Sequence, residues 1–106
     1  METISNSVLT VGVSEHGAEL QSIQKNGKEY LWQGDTRFWG RRSPVLFPIV
    51  GRVWEDTYRY AGNSYRMGQH GFARDMDFKV TYKGEDGIVS VSYTHLRAHE
   101  TKANLV

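Results

Sequence analysis

The chain has 106 residues, 39% hydrophobic and 24% charged, with thirteen basic and twelve acidic residues for a formal net charge of +1. That length fits one domain and excludes a complete two-domain enzyme, while the near-zero charge argues against a nucleic-acid or polyanion binder. The absence of cysteine excludes a disulfide framework, a thiolate metal site and a thiol nucleophile. The opening METISNSVLT has neither the basic start nor the apolar run of a secretory signal. No apolar stretch approaches the roughly 20 residues of a membrane helix, so a soluble, cytoplasmic chain is expected.

Along the chain, short runs of Val, Ile, Tyr, Phe, Trp and Thr alternate with glycine-containing turns, which predicts an all-β fold of seven or eight short antiparallel strands and hairpins. In LTVGV, Leu9, Val11 and Val13 are expected on one side of a strand. GAELQSIQ is expected as the next strand, with one break in alternation near Ser22 that predicts a bulge or a strand end. Asn26-Gly27 is a two-residue hairpin signal, because both turn positions need positive φ. Tyr30 and Trp32 then share a face, and 34-GDTRFWGRRS-43 is expected as a loop.

The run 44-PVLFPIVGR-52 is apolar, but Pro44 and Pro48 each remove a backbone donor, confining it to an edge, a bulge or an extended segment outside a ladder. TYRYAGNSYRM predicts a tight hairpin turning at Ala61-Gly62-Asn63. Phe78, Val80 and Tyr82 alternate in the next strand, and the turn Gly84 to Gly87 leads into a strand with Val89, Val91 and Tyr93 on its apolar side. Residues 94-THLRAHETKANLV-106 lose glycine and cluster charge, which suits a short C-terminal helix better than a strand.

Two residues stand out for chemistry. His70, before Gly71 in a loop entering a strand, has two readings: an imidazole that donates to a substrate oxygen or exchanges a proton, or a loop histidine satisfied by backbone. Arg52 follows Gly51 at the end of the apolar run. Its guanidinium suits paired hydrogen bonds to sugar hydroxyls or a carboxylate, and equally a rim salt bridge to Glu55 or Asp56. His95 and His99 have the i, i+4 spacing of a metal pair but lack the zinc-protease glutamate and an evident third ligand, so no metal is expected. Arg37, Arg41 and Arg42 beside Phe38 and Trp39 superficially match a single-strand nucleic-acid platform, against which the overall charge argues. No phosphate-binding glycine loop is present.

The segments FPIVGR and 69-QHGFARDMDF-78, with LQSI and EYLWQGD before them and the tyrosine hairpin between, resemble the aldose 1-epimerase, or galactose mutarotase-like, superfamily. The resemblance is closest to bacterial branches that include hexose-phosphate mutarotase-like members, and it runs from about Thr3 to Tyr93. It implies that residues 1–93 form the N-terminal part of a galactose mutarotase-like β-sandwich. The implied reaction interconverts α and β anomers of an aldose by acid/base ring opening, without a cofactor. Arg52 and His70 look like the family's substrate-binding arginine and its first active-site histidine, and both are implied in binding and catalysis.

In the family, a second histidine serving as acid and a glutamate serving as base come from later in the chain, so this one is expected to be inactive alone. The tail 94–106 does not look like the family and resembles translated adapter read-through. Which small-molecule sugar is bound, an aldohexose or a sugar phosphate contacted by Arg66 or Arg74, stays open. Two alternatives also remain: a non-catalytic carbohydrate-binding β module stacking sugar on Trp39, Trp54 and Tyr58, or an interaction domain. A partial sandwich is expected to leave an apolar face and an unpaired strand edge uncovered, which favours self-association.

Overall fold

The computed structural model describes residues 1–92. Among these residues, eight short strands form three antiparallel sheets. A four-stranded meander holds β1 (Glu2–Ser5), β2 (Thr10–Val13), β3 (Leu20–Lys25) and β4 (Lys28–Glu29) in chain order. Two hairpins follow: β5 (Thr57–Tyr60) with β6 (Asn63–Arg66), then β7 (Lys79–Lys83) with β8 (Ile88–Val91). Single 3-10 turns at Trp54–Asp56 and Ala73–Asp75 precede the hairpins. The expected all-β architecture is therefore observed. The tail beyond residue 93, with its expected helix and His95 and His99, lies outside the described residues.

Local chemistry explains the strand joins. Asn6 Oδ1 accepts from the Val8 and Leu9 amides, each at 2.8 Å, an Asx turn that reverses β1 into β2. Asn26 and Gly27 both take positive φ and close the β3–β4 hairpin, as their sequence predicts. The register between β2 and β3 shifts because Gly12 faces Ser22 while Val13 faces Leu20, which leaves Gln21 as the extra residue. The bulge expected near Ser22 thus falls one position earlier.

Two expectations need correction. The second strand does not start at Gly17, because Gly17 and Ala18 both adopt left-handed conformations and the strand begins at Leu20. The alternation Phe78, Val80, Tyr82 fails as a strand pattern: β7 begins at Lys79, and a register shift leaves Thr81 unopposed. In consequence Tyr82 pairs with Val89, and both are exposed, at 60% and 48%. Tyr30 and Trp32 lie beyond the two-residue β4, and both are exposed.

The buried apolar side chains among the described residues are Val13, Met67 and Ala73. Phe38, Val50 and Trp54 are exposed at 76%, 76% and 85%, and Leu46 and Phe47 are exposed as well. A sandwich buries the inner face of one sheet against another, and among the described residues much of the apolar surface on the connecting segments is exposed.

Candidate functional site

Of the edge, bulge or extended segment outside a ladder that its prolines allow, the run 44–52 takes the last. Among the described residues, 44–52 lie outside every strand and meet the later loop through one parallel bridge, Phe47 to Gly71, and through hydrogen bonds at Phe47 and Gly51. Phe47 O accepts from the Phe72 and Ala73 amides at 3.0 and 3.1 Å. Gly71 has φ +75, and a Cβ there would sit 2.2 Å from Phe47 O and 2.5 Å from Phe47 C. Glycine is required at this position by both the conformation and the close backbone approach.

One residue earlier, His70 has φ +65. Such a conformation is uncommon for a residue with a Cβ and persists where surrounding contacts hold it. The holding contacts are reciprocal: the His70 amide donates to Gly51 O at 2.6 Å, and the Gly51 amide donates to His70 Nδ1 at 2.8 Å. The imidazole is half-buried.

Arg52 is the next residue along. Its Nε lies 2.9 Å from Asp56 Oδ1 as an ion pair, although that oxygen receives no aligned hydrogen bond, and the guanidinium side chain remains 62% exposed. Of the two partners expected for a rim contact, Asp56 is the one used. Glu55 and Asp56 both have φ +55, so the segment joining Arg52 to the tyrosine hairpin carries local backbone strain of about 1–3 kcal/mol per residue. The structure therefore brings the two sequence-predicted residues onto one seam: Arg52 follows the residue that His70 grips.

The other side of the histidine loop is anchored to the meander. Gly17 donates to Met76 O at 2.6 Å, Phe78 donates to Glu15 O at 2.7 Å, and His16 Nδ1 pairs with Asp77 Oδ1 at 3.1 Å on the surface. Sequence reading missed these anchors, as it missed Glu19. Glu19 Oε2 accepts from the Arg42 and Ser43 amides at 3.2 and 2.9 Å and ties the 34–43 loop to β3. It missed Glu29 too, a half-buried carboxylate that accepts from Ser22 Oγ and from the Ile23 and Leu31 amides at 2.8 and 3.0 Å. The Ser22 hydrogen bond first, then the Ile23 amide, hold Glu29 down at a pKa of about 2. An acidic residue before a polar loop carries little signal of which distant amides it will cap.

The aromatic ring-to-ring contacts fall in two local groups, one on the tyrosine hairpin and one within residues 32–39. Tyr58 stacks on Tyr65 across the hairpin with centroids 5.2 Å apart. Trp32 packs edge-on against Phe38 at 6.3 Å, and its indole N–H donates to Trp39 O at 2.8 Å. Trp39 and Trp54 are exposed, and neither has a ring contact with Tyr58 among the described residues. Arg74 donates to Gln69 O at 2.9 Å, so part of its guanidinium supports the histidine loop. Among the described residues no cluster of three or more His, Asp or Glu side chains is arranged to hold a metal ion. No helix there is long and apolar enough to cross a membrane.

Comparison with known proteins bears on this geometry. The family model described as aldose 1-epimerase matches residues 2–102. The chromosomal LacX protein of Lactococcus lactis is 36% identical over 91 residues, covering 80% of this chain and 30% of that protein. A galactose mutarotase related enzyme from Lactobacillus acidophilus superposes with a TM-score of 0.79 at 46% identity, covering 84% of this chain and 30% of that one. A galactose mutarotase-like protein from Lactobacillus casei gives 0.74 at 48% identity, with coverages of 80% and 30%. The chain thus spans about 30% of the length of these relatives.

Proposed function

The chain belongs to the aldose 1-epimerase family, and from that premise we propose that it forms the sugar-contacting N-terminal part of an enzyme that interconverts the α and β anomers of an aldose. The observation that carries this reading is the seam between residues 47–52 and 70–73, where Gly51 and His70 exchange two hydrogen bonds beside an exposed Arg52. A planar guanidinium and an imidazole on adjoining backbone suit the hydroxyls and ring oxygen of a pyranose. Anomer exchange needs a base to take the anomeric hydroxyl proton and an acid to protonate the ring oxygen. On this reading both groups come from outside the described residues, and Arg52 and His70 bind substrate and support its transition state.

The substrate class is an aldohexose or its phosphate, and the setting is cytoplasmic. Partial engagement of Arg74 by Gln69 O leaves Arg66 as the freer of the two arginines considered for a phosphate.

The test follows α to β exchange of glucose and galactose by NMR or polarimetry, together with sugar-induced amide shifts in the 106-residue chain. The expected result is no acceleration above buffer, with shifts confined to residues around Gly51, Arg52 and His70. Exchange that is accelerated and then abolished by His70→Ala overturns the assignment of the proton-transfer groups elsewhere. Sugar at saturating concentration that leaves the seam unmoved overturns the substrate contact.

A further inference from the structure

We infer that the Gly51 backbone amide is a positioning group that locks His70 as the neutral Nε2–H tautomer, so that the imidazole meets its ligand as a hydrogen-bond donor and not as a proton acceptor. The inference rests on the sugar-contact reading only for the identity of that ligand.

An imidazole nitrogen that accepts a hydrogen bond uses its lone pair and carries no proton, and the ring's proton is then on the other nitrogen. His70 Nδ1 faces the Gly51 N–H at 2.8 Å, and a backbone amide has no alternative to donating. The donor is fixed in place because Gly51 O accepts from the His70 amide at 2.6 Å, so the same peptide neighbourhood holds both ends of the histidine. A second set of bonds, Phe72 and Ala73 to Phe47 O, blocks sliding of one segment past the other. Nε2 is left as the ring's N–H.

The conformation of Gly51 makes this possible. Its φ of +92 turns the amide toward the loop, and a Cβ at this position would meet nothing within 4 Å. Steric space is therefore not what glycine provides there; the backbone angle is. Arg52 follows directly, so the turn that aims the amide at His70 also sets where the guanidinium leaves the backbone. A donor at Nε2 beside a cationic donor makes a site for acceptor oxygens: ring oxygen, hydroxyl lone pairs or a developing alkoxide. It leaves the pair without a base, which agrees with a reaction whose base lies elsewhere.

The test is a long-range proton–nitrogen correlation spectrum of the histidine rings in uniformly ¹⁵N-labelled 106-residue chain, with His70 assigned by its loss in His70→Gln. The expected pattern is a protonated Nε2 and an unprotonated Nδ1, with scalar coupling from the Gly51 amide across the hydrogen bond to Nδ1. In Gly51→Ala, where a Cβ disfavours the backbone angle without a clash, that coupling is expected to vanish and the tautomers to mix, while the Phe72 and Ala73 amides keep their shifts. The Nδ1–H form, an even mixture in the parent chain, or unordered ring signals overturn the inference. Adding galactose or glucose separates the two readings. A shift at Nε2–H supports both, and an unchanged Nε2–H in a locked ring removes the sugar and leaves the tautomer.

Discussion

In the meander, each strand pairs with its neighbour in the chain, and turns such as Asn26-Gly27 set the register before any distant contact is made. Around His70 the partners are remote: Gly51 and His70 are nineteen positions apart, and neither 47–52 nor 70–73 belongs to a strand. The meander is local and redundant, since losing one rung leaves the ladder. The seam rests on a few backbone bonds made across a loop that itself contains the tyrosine hairpin, so each bond matters more. Such segments open at lower free energy than ladders do, and residues that meet ligands are often carried on segments of this kind.

The sharpest way to break the comparison is Gly71→Ala. Its Cβ would lie 2.2 Å from a backbone oxygen that cannot rotate away, at φ +75. A loss of about 3 kcal/mol or more is expected from strain of this class. A urea titration should show a lowered midpoint, and hydrogen exchange should rise first at Phe72 and Ala73. Exchange rising first in β2 and β3 would contradict the division into a sturdy meander and a fragile seam.

Next in size is Glu19→Ala, which strips the acceptor from the Arg42 and Ser43 amides and should cost about 1–3 kcal/mol as those donors lose their partner. The change should free the 34–43 loop, visible as amide shifts there, while the Gly51–His70 coupling persists.

How far the sequence foretold this molecule follows the same division. Alternation and turn chemistry located most of the strands and the turns at Asn26-Gly27, Ala61-Gly62-Asn63 and Gly84 to Gly87, because those signals act over a few residues, whereas β1 and its turn at Asn6 went unread. Phe78 and Gly17 were assigned to strands because apolar spacing does not reveal a left-handed residue or a bulge; the φ of Ala18 and the extra residue Thr81 are settled by contacts with other segments. For the site, local reading left His70 poised between a backbone-satisfied loop histidine and a functional one. The structure shows Nδ1 bound to backbone, as the first of these describes, while the second is the role proposed above for Nε2. Arg52 followed the same course, paired with Asp56 yet largely exposed. The order of motifs carried the family, while the reciprocal grip of Gly51 had no signal beyond a glycine before an arginine.

A milder perturbation tests the meander itself through pH. Glu29 has a folded pKa of about 2 against an ordinary 4.5, lowered chiefly by the Ser22 hydroxyl and the Ile23 amide. A depressed carboxylate contributes stability that is complete above its unfolded value and is lost as pH falls from about 4.5 through about 2. The parent chain should therefore lose stability across that window, and Glu29→Gln should flatten this part of the acid limb. Parallel acid limbs in the two proteins would remove Glu29 from the account of how β3 and β4 are joined.

The smallest expected effect on folding is that of Arg52→Ala. The Arg52 side chain is 62% exposed, and its contact with Asp56 lacks an aligned hydrogen bond. Exposed ion pairs contribute about 0–1 kcal/mol, so the urea midpoint should barely move and the Gly51–His70 coupling should remain. Sugar-induced shifts at the seam should nevertheless fall sharply if the guanidinium is a substrate contact. That pattern, ligand response lost from a seam whose backbone is intact, separates what holds the histidine loop from what the loop presents. A variant that instead unfolds the seam would make Arg52 a structural strut and give the ion pair to Asp56 a weight its geometry does not predict.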